Sequence, residues 1–362
     1  MDFSKPGDKE FWDRFPKREL PEQAVTRVDV GELEKLIEEM KGKMTIHEVD
    51  MAQKAVKHLK EGAPAHQLTD LPGITVKNAP SIAKCAPEFT ETLKKWVGAG
   101  YAAETFTEKP SPDLRVNSLM AEEQKDKMRP VLNMSSPKGR SFNDNIDKDR
   151  VGRSTMSSAK QFGQALRKAG RGALISKMDM KDAYKLIPAR PGDFRLQGFH
   201  CHGAYFVETQ MIFGATTAVN NFDIVAKTLQ LLARLVSSIP KCLVQQTLDD
   251  TASTGPPGSG WCEEFTANYK RICSQVNIEL APDCPKKEKA FTNSTVGTVL
   301  GISFNSKTMS WKLPDNKAAD ILNDIHTFLT GGTVSLKQTQ TLAGRLNNLG
   351  QMCPFRKDSG DP

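Results

Sequence analysis

The sequence predicts an α+β fold, and three observations support that prediction. Segments with helical periodicity and capping residues occur before residue 100 and again after residue 310. Between them, from about residue 101, short apolar runs of strand length alternate with helical stretches. This alternation is typical of folds that combine helices with a sheet. At 362 residues, the chain is long enough for two or three domains, or for one multi-lobed enzyme.

The first ninety residues are predicted to be mainly helical. Residues 1–28 are polar and aperiodic, so we expect a tail or a draped arm without a secretory signal. Asp29 is placed to cap a helix that runs to about Met40, with an apolar face made of Leu33, Leu36 and Ile37. Thr45 and Glu48 have the spacing of a capping box, which predicts a second helix. That helix ends at Gly62 and carries the apolar residues Ile46, Ala52, Val56 and Leu59.

The later elements follow from the same patterns. Residues 63–90 are rich in proline and alanine and predict a linker, with a third helix over 88–97. Apolar runs predict strands at 129–133, 173–177, 243–248 and 296–304, and helical spacing predicts helices at 158–169 and 221–236. Two amphipathic helices close the sequence; Gly331 ends the first, and a capping box of Ser335 and Gln338 begins the second.

Positive charge is concentrated in one part of the chain. The 50 basic and 43 acidic residues give a net charge of +7. Residues 121–190 contain 16 Lys and Arg against 8 Asp and Glu, so this segment alone carries +8. Such a concentration indicates either a polyanionic partner or a solvated, lysine-rich surface. Seven dispersed cysteines without a CxxC pair predict reduced, intracellular thiols, and no run approaches the ~20 apolar residues of a membrane span.

Three aspartates give the strongest chemical signal. Asp179 follows the apolar run that begins at Ala173, and Asp249 and Asp250 follow the run that begins at Leu243. An isolated Asp-Asp pair is usually a turn. Here each carboxylate follows a strand that is predicted to be buried, and adjacent carboxylates repel each other unless a cation lies between them. Hard divalent cations such as Mg²⁺ prefer oxygen ligands, so the pattern and the basic segment together indicate metal-dependent nucleic-acid chemistry.

Other candidate sites have weaker support. His200 and His202 would share one face of a strand, but no further ligands lie nearby, which favours structural histidines over a metal site. The glycine-rich stretch at 255–260 predicts a flexible turn, and neither a GxxxxGK[ST] nor a GxGxxG motif occurs. Nothing in the sequence supports a Ser/His/Asp or Cys/His catalytic site.

Six motifs in order resemble those of reverse transcriptases. The run KMDMKDAY from Lys177 to Tyr184 resembles the first catalytic motif, and QTLDD, which ends at Asp250, resembles the Tyr-x-Asp-Asp hairpin. Between them, Phe213 and Gly214, followed by Ala218 and Phe222, resemble the motif that begins a template-contacting helix. KMRPVLN at 127–133, together with SFND at 141–144, resembles the fingers hairpin. VLGISF at 299–304 resembles the primer grip, and LAGRL at 342–346 resembles the start of the thumb.

The resemblance covers about residues 90–350 and is closest to the polymerases of tyrosine-recombinase (DIRS-like) retroelements. It implies a right-hand polymerase fold: fingers, a palm with an antiparallel sheet, and a partial helical thumb, after a helical N-terminal extension. The implied divisions are 1–90 for the extension and linker, 91–310 for fingers and palm, and 311–362 for the thumb-like segment. The implied function is RNA-directed DNA polymerization, with an RNA or DNA template, a primer and dNTPs as partners and an intracellular, cytoplasmic or nuclear location.

The same resemblance implies roles for individual residues. Asp179, Asp249 and Asp250 would be the catalytic residues and would hold two Mg²⁺ ions, with Mn²⁺ as a substitute. The contacts to the dNTP would come from Lys127, Arg129, Met180, Tyr184, Phe213 and Gly214. Tyr184 would lie beneath the sugar, or else pack as an ordinary palm aromatic. Either Lys286 or Lys287 would donate a proton to pyrophosphate, unless this lysine run is a solvated turn.

Three departures from the family pattern leave other functions open. Thr247 stands where the hairpin usually has Tyr, Phe213 stands where many viral relatives have Gln, and Val219 replaces a common Pro. A catalytically silent nucleic-acid-binding remnant is the first alternative. A metal-dependent nuclease is the second, although no separate general base is evident. The sequence ends shortly after the thumb-like helices and leaves no room for an RNase H domain or recombinase, so we expect a fragment of a larger element polyprotein or a domesticated remnant. RNase H and recombinase or integrase domains of the same element are the expected partners.

Overall fold

The computed structural model describes residues 7, 9–13, 15–16, 18–124, 127–152, 154–286, 289–331, 334–350 and 352. The helices are α1 (Lys9–Asp13), α2 (Val30–Met40), α3 (Ile46–Glu61), α4 (Ala86–Ala99), α5 (Lys148–Val151), α6 (Ala159–Ala169), α7 (Thr216–Leu235), α8 (Trp261–Gln275), α9 (Asp315–Thr330) and α10 (Leu336–Gly350). The strands are β1 (Ala102–Phe106), β2 (Val116–Gln124), β3 (Lys127–Asn133), β4 (Leu174–Asp179), β5 (Gly198–Cys201), β6 (Ala204–Glu208), β7 (Val244–Thr247), β8 (Asp250–Gly255), β9 (Phe291–Ser294), β10 (Val296–Val299), β11 (Ile302–Asn305) and β12 (Ser310–Lys312).

The chain forms two compact units, and each is discontinuous in sequence. The first contains residues 1–155, 182–231 and 273–278, and the second contains 156–181, 232–272 and 279–362. The predicted division into 1–90, 91–310 and 311–362 runs along the chain and stays a prediction.

The first unit is built on a five-stranded sheet with the order β1-β6-β5-β2-β3. β2 and β5 are parallel, and the other neighbours are antiparallel. Its core contains stacked rings of Phe199 and Phe206, whose centroids lie 5.3 Å apart, and the ring of Phe89 packs edge-on against Phe199. All three phenylalanines are fully buried.

The second unit contains a four-stranded antiparallel sheet with the order β7-β8-β4-β9. A separate three-stranded antiparallel sheet follows, in the order β10-β11-β12. Helix α6 contributes Phe162, whose ring meets Phe304 of β11 edge-on with centroids 5.1 Å apart. Because both rings are buried, α6 is fixed against the smaller sheet.

The capped helices agree with the sequence. The Asp29 side chain accepts from the Glu32 N–H at the start of α2, and both halves of the Thr45–Glu48 capping box are present in α3. Ser335 and Gln338 likewise cap α10. Helices at these positions are therefore confirmed. One detail of α3 is wrong: Ile46, which was expected on its apolar face, is 78% exposed.

Two predictions from apolar and proline patterns are wrong. Residues 63–85 do not form a free linker, because Ala63, Leu71 and Ile82 are buried and a 3₁₀ helix, Pro80–Cys85, leads directly into α4. The run at 296–304 is two strands, β10 and β11, because Leu300 and Gly301 both have positive φ and form a turn. Glycine at the second of these positions allows that reversal.

Membrane-spanning segments and cysteine chemistry are two further features of the described residues. None of the helices in the described part of the chain is long and apolar enough to cross a membrane. The six described cysteines carry thiols and are not part of a disulfide, and Cys353 lies outside the described residues.

Candidate active site

Strands β4 and β8 of the second unit bring two predicted aspartates opposite each other. β4 ends at Asp179, β8 begins at Asp250, and the two residues are direct partners in the antiparallel register. The interior of both strands is buried. The antiparallel pairing of these two strands therefore places Asp179 and Asp250 at the same edge of the sheet.

The third aspartate lies in the tight turn between β7 and β8. Thr247 pairs with Asp250, which leaves only Leu248 and Asp249 to reverse the chain. Leu248 takes φ +52°, a left-handed conformation that is costly for a side chain other than glycine. The Met180 N–H donates to the Asp249 carbonyl at 3.1 Å, so the turn is attached to the chain just beyond β4.

A buried amide side chain supports this turn from within. Gln246 is 5% exposed, and its Nε2 donates to the Leu248 carbonyl at 2.5 Å. Its Oε1 accepts from the Thr251 hydroxyl at 2.7 Å, which in turn lies 2.9 Å from the Tyr269 hydroxyl. These contacts satisfy polar groups that would be costly to bury unpaired, and they fix the hairpin. The motif contained Gln246, but its position in the motif did not reveal this role.

Thr247, in the same motif, also has a specific contact. Its hydroxyl donates to the Ser157 carbonyl at 3.0 Å, just before α6 begins. The Ser157 N–H in turn donates to the Gln246 carbonyl at 3.3 Å. These two hydrogen bonds link the β7–β8 hairpin to the start of α6.

All three carboxyl groups lie in an environment that favours their neutral forms. Burial, and then the charge of Asp249, raises the pKa of Asp179. Burial also raises the pKa of Asp249. For Asp250, burial raises the pKa to about 6, although the Lys177 ammonium acts in the opposite direction. A cation between the carboxylates would offset both the burial and the repulsion.

Lys177 is a site residue to which the sequence reasoning gave no role. Its Nζ lies 2.9 Å from Asp250 Oδ2, and the side chain is buried. Residues two apart on a strand share one face, so Lys177 and Asp179 were predictable neighbours. The buried ammonium neutralises part of the charge of Asp250.

The carboxylates fit a divalent cation in a restricted way. Among the described residues, no group of three or more His, Cys, Asp or Glu side chains is arranged to hold a metal ion. Mg²⁺ is commonly held by one or two carboxylates, with phosphate and water as its other ligands. Asp179 and Asp249 repel each other and match that donor set, whereas Asp250 is engaged by Lys177. The role of Asp250 as a ligand stays a prediction.

The first unit brings together two of the residues predicted to contact dNTP. The rings of Tyr184 and Phe213 meet edge-on with centroids 4.6 Å apart, and Tyr184 also packs on Phe222. Tyr184 is 9% exposed, whereas Phe213 is 50% exposed. The Tyr184 ring thus packs against two aromatic neighbours, and Phe213 presents apolar surface to solvent.

Gly214 is required by the local backbone. It has φ +93°, and an added Cβ would lie 3.3 Å from the Leu132 carbonyl at the end of β3. Its own carbonyl accepts from Asn143 Nδ2 at 2.7 Å, and Asn143 Oδ1 accepts from the Thr216 N–H at the first turn of α7. Asn143 therefore joins the SFND motif to the start of this helix.

The remaining predicted residues differ in how fully the structure describes them. Met180 is buried beside the turn, and Lys286 is exposed in a loop. The side chains of Lys127 and Arg129 lie outside the described part of the structure, although their backbones form β3; Lys287 lies wholly outside it. Lys289 was missed: its charge lowers the pKa of Asp179, against the larger effect of burial.

The two histidines behave as structural residues. His202 lies in the turn after β5, with φ +52°, so it does not continue the strand alternation that was expected. Its Nε2 is 3.0 Å from the buried Thr90 hydroxyl, and the His200 ring packs on Tyr205.

Comparison with known proteins identifies the fold. No protein-family model and no curated protein matches the chain. It is similar to solved structures of a foamy viral protease-reverse transcriptase at 15% identity. A dRH form in complex with double-stranded DNA has a TM-score of 0.57 and covers 87% of this chain and 52% of that chain. The complex with an RNA/DNA hybrid has a TM-score of 0.57 and covers 87% of this chain and 40% of that chain. Another complex with double-stranded DNA has a TM-score of 0.53 and covers 90% of this chain and 63% of that chain.

This likeness confirms the predicted α+β fold of a right-hand polymerase with a helical N-terminal region. The chain spans between 40% and 63% of the length of these structures.

Proposed function

We propose that this chain is the RNA-directed DNA polymerase of a retroelement, of the tyrosine-recombinase (DIRS-like) kind. The observation that carries the proposal is the arrangement of Asp179, Asp249 and Asp250 at one edge of the four-stranded antiparallel sheet. The likeness to foamy viral protease-reverse transcriptase structures, whose complexes contain double-stranded DNA or an RNA/DNA hybrid, supports it.

The proposed reaction is attack of a primer 3′-hydroxyl on the α-phosphate of a dNTP. Asp179 and Asp249 would hold Mg²⁺, or Mn²⁺ in its place. The pKa values of both carboxyl groups are raised, as expected for buried carboxyl groups whose charged forms a cation would stabilise. Ions held there would supply positive charge at the attacking hydroxyl and at the leaving pyrophosphate. The protein positions the reactants, which is the larger part of catalysis in phosphoryl transfer.

The remaining roles follow the resemblance. Arg129, with its planar guanidinium, and Lys127 would bind the triphosphate. Tyr184 would lie beneath the sugar and obstruct a ribose 2′-hydroxyl. Lys289 joins Lys286 and Lys287 as a candidate proton donor because its charge reaches Asp179. A template with primer would be the partner, and RNase H and recombinase or integrase domains of the same element would act with it.

Primer extension tests the proposal. Wild-type protein, an RNA template with a DNA primer, dNTPs and Mg²⁺ should yield extended primer, and Asp249→Asn should reduce the rate at least a hundredfold. Asp320→Asn is the matched control, because Asp320 is an exposed aspartate on α9 of the same unit. Equal rates for wild type and Asp249→Asn, or no extension by either, would exclude a polymerase.

A second candidate, a nucleic-acid-binding remnant without activity, is favoured by the ion pair between Lys177 and Asp250. This ion pair already uses one predicted metal-binding carboxylate. The remnant would bind a primer–template duplex in a mobility-shift assay with a strong salt dependence and would not extend the primer. Extension that Asp249→Asn removes would exclude it.

A further inference from the structure

A small cavity in the first unit is lined by two arginines that are remote in sequence from the aspartate motifs. The cavity has a volume of about 250 Å³. Arg115 and Arg140 contribute to its wall, together with Asp144, Asn145 and residues of the 69–74 segment. Neither arginine is among the residues that the sequence predicts to contact substrate.

Arg115 is unusual because its charge is buried without a counter-ion. The residue is 1% exposed, and it takes part in none of the ion pairs formed within the described part of the chain. Among the described residues, its side chain makes one hydrogen bond, from Nη2 to the Arg140 carbonyl at 2.5 Å, and its buried Nε has no partner there. Burial, and then the charge of Arg140, lowers the pKa of Arg115. A buried, unpaired guanidinium is costly, so its retention needs an explanation.

The one acidic residue in the wall does not neutralise Arg115. Asp144 Oδ2 accepts hydrogen bonds from the Gly139 N–H at 2.6 Å and from the Ser141 N–H and hydroxyl at 3.1 and 2.7 Å. The carboxylate is therefore bonded to its own loop, and these bonds lower its pKa. With two arginines and one aspartate, the lining keeps a net charge of +1.

The wall of the cavity is also held in place by specific contacts. Asn145 Nδ2 donates to the Thr69 carbonyl at 2.7 Å, and the Thr69 hydroxyl donates to Asn145 Oδ1 at 2.9 Å. Arg195 Nη1 donates to the Leu71 carbonyl at 2.8 Å. These contacts hold the wall beside the arginines in place, so a bound anion would not have to order that wall first.

We propose that this cavity binds a phosphate group, with Arg115 as the buried ligand and Arg140 as the ligand at the opening. Guanidinium groups bind phosphate by paired hydrogen bonds, and Arg115 has donors to spare. At about 250 Å³ the cavity is below the ~300–1,000 Å³ of pockets for drug-sized molecules, so it suits a phosphate group rather than a whole nucleotide. The phosphate comes either from free phosphate compounds or from a nucleic-acid strand, and the site does not depend on polymerase activity.

Thermal unfolding of the full chain with inorganic phosphate, at ionic strength held constant with chloride, tests the site. Wild-type protein should unfold at a higher midpoint temperature as phosphate increases. Arg140→Gln, a change at an exposed residue, should raise the apparent Kd for phosphate at least tenfold, and Arg115→Met should remove the response. The exposed Arg167→Gln on α6 of the other unit is the control and should respond as wild type.

Arg115→Met also separates binding from a structural role. Without phosphate, the variant should unfold at the same or a higher temperature than wild type, because an unpaired buried charge is removed. If phosphate does not stabilise wild type beyond chloride, or if Arg140→Gln responds like Arg167→Gln, the site is excluded. The comparison of Arg140→Gln with Arg167→Gln remains valid even if Arg115→Met fails to fold.

The source of the phosphate is identified by competition. A single-stranded oligonucleotide without a terminal phosphate would assign the site to a strand backbone if it weakens the thermal stabilisation by inorganic phosphate. If only free phosphate and dNTP compete, the site takes free phosphate compounds. Failure of the primer-extension test would leave these results unaffected, because none of them uses catalysis.

Discussion

His58 shows how a single buried ionisable side chain affects stability outside the candidate active site. It lies on α3 and is 4% exposed. Burial, and then the charges of Lys54, His66 and Arg190, lowers its pKa from 6.5 to about 4. The folded state therefore favours the neutral imidazole. Its contribution to stability is complete above pH 6.5 and is lost as the pH falls toward 4.

We predict that replacing His58 reduces the acid sensitivity of the fold. From pH 6.5 to 4, wild type should lose about 3 kcal/mol of unfolding free energy through this residue, at ~1.4 kcal/mol per pH unit. His58→Gln should lack that loss, as measured by urea unfolding at several pH values. His47→Gln, at an exposed position of the same helix, should keep the wild-type pH dependence. A His58→Gln profile parallel to wild type would contradict the prediction.

The sequence revealed some site residues and not others, for a physical reason. Asp179, Asp249 and Asp250 were predictable because each follows an apolar run, which is a local pattern. Arg115 was not, because nothing in its neighbourhood in sequence shows that it is buried without a carboxylate. Burial and pairing depend on segments far apart in the chain, such as the 69–74 loop beside Arg140.

At the scale of elements, the β7–β8 hairpin combines a strained residue with candidate catalytic groups. Leu248 occupies a left-handed conformation at φ +52° in a two-residue turn. Such a conformation costs a residue other than glycine about 1–2 kcal/mol. The conformation persists because Gln246 Nε2 donates a hydrogen bond to the Leu248 carbonyl and the Met180 N–H donates one to the Asp249 carbonyl. Strain held by surrounding contacts is frequent at functional sites.

We predict that the usual order of alanine and glycine is reversed at Leu248. In a strand, glycine is about 0.5–1 kcal/mol less stabilising than alanine. At Leu248, relief of the left-handed conformation should make Leu248→Gly more stable than Leu248→Ala by about 0.5–1 kcal/mol. Urea unfolding of both variants measures this difference. The same pair at Gln245, in strand β7, should show the usual order; alanine favoured at both positions would show that the turn is unstrained.

Elements with local signals were predicted correctly, and elements defined by tertiary packing were not. The caps at Asp29 and Thr45 form within a single turn of chain, so their residues identify the helix starts. The 63–85 segment lacks such a signal, and its structure comes from distant partners; the Ala63 N–H, for example, donates to the Pro188 carbonyl. Proline and alanine content therefore indicated a linker where the structure has a packed segment.

At the scale of the whole molecule, the basic segment 121–190 contributes to both units. Residues 121–155 and 182–190 belong to the first unit, and 156–181 belong to the second. The +8 charge of this segment exceeds the net charge of the entire chain. A concentration of basic residues is one feature of polyanion-binding proteins, and under the proposed function the polyanion is a primer–template duplex.

We predict that β3 supplies part of this binding energy through ion pairs with phosphates. For duplex nucleic acid, log Kobs falls with log salt concentration by about 0.9 for each phosphate that is neutralised. Lys127→Gln combined with Arg129→Gln should therefore lower the magnitude of the slope by about 2 and weaken binding to all sequences alike. Fluorescence anisotropy of a labelled primer–template at several salt concentrations measures the slope. Lys43→Gln combined with Lys84→Gln removes two exposed charges outside the basic segment and should leave the slope unchanged. If both double variants lower the slope equally, binding follows net charge, and β3 has no specific part in it.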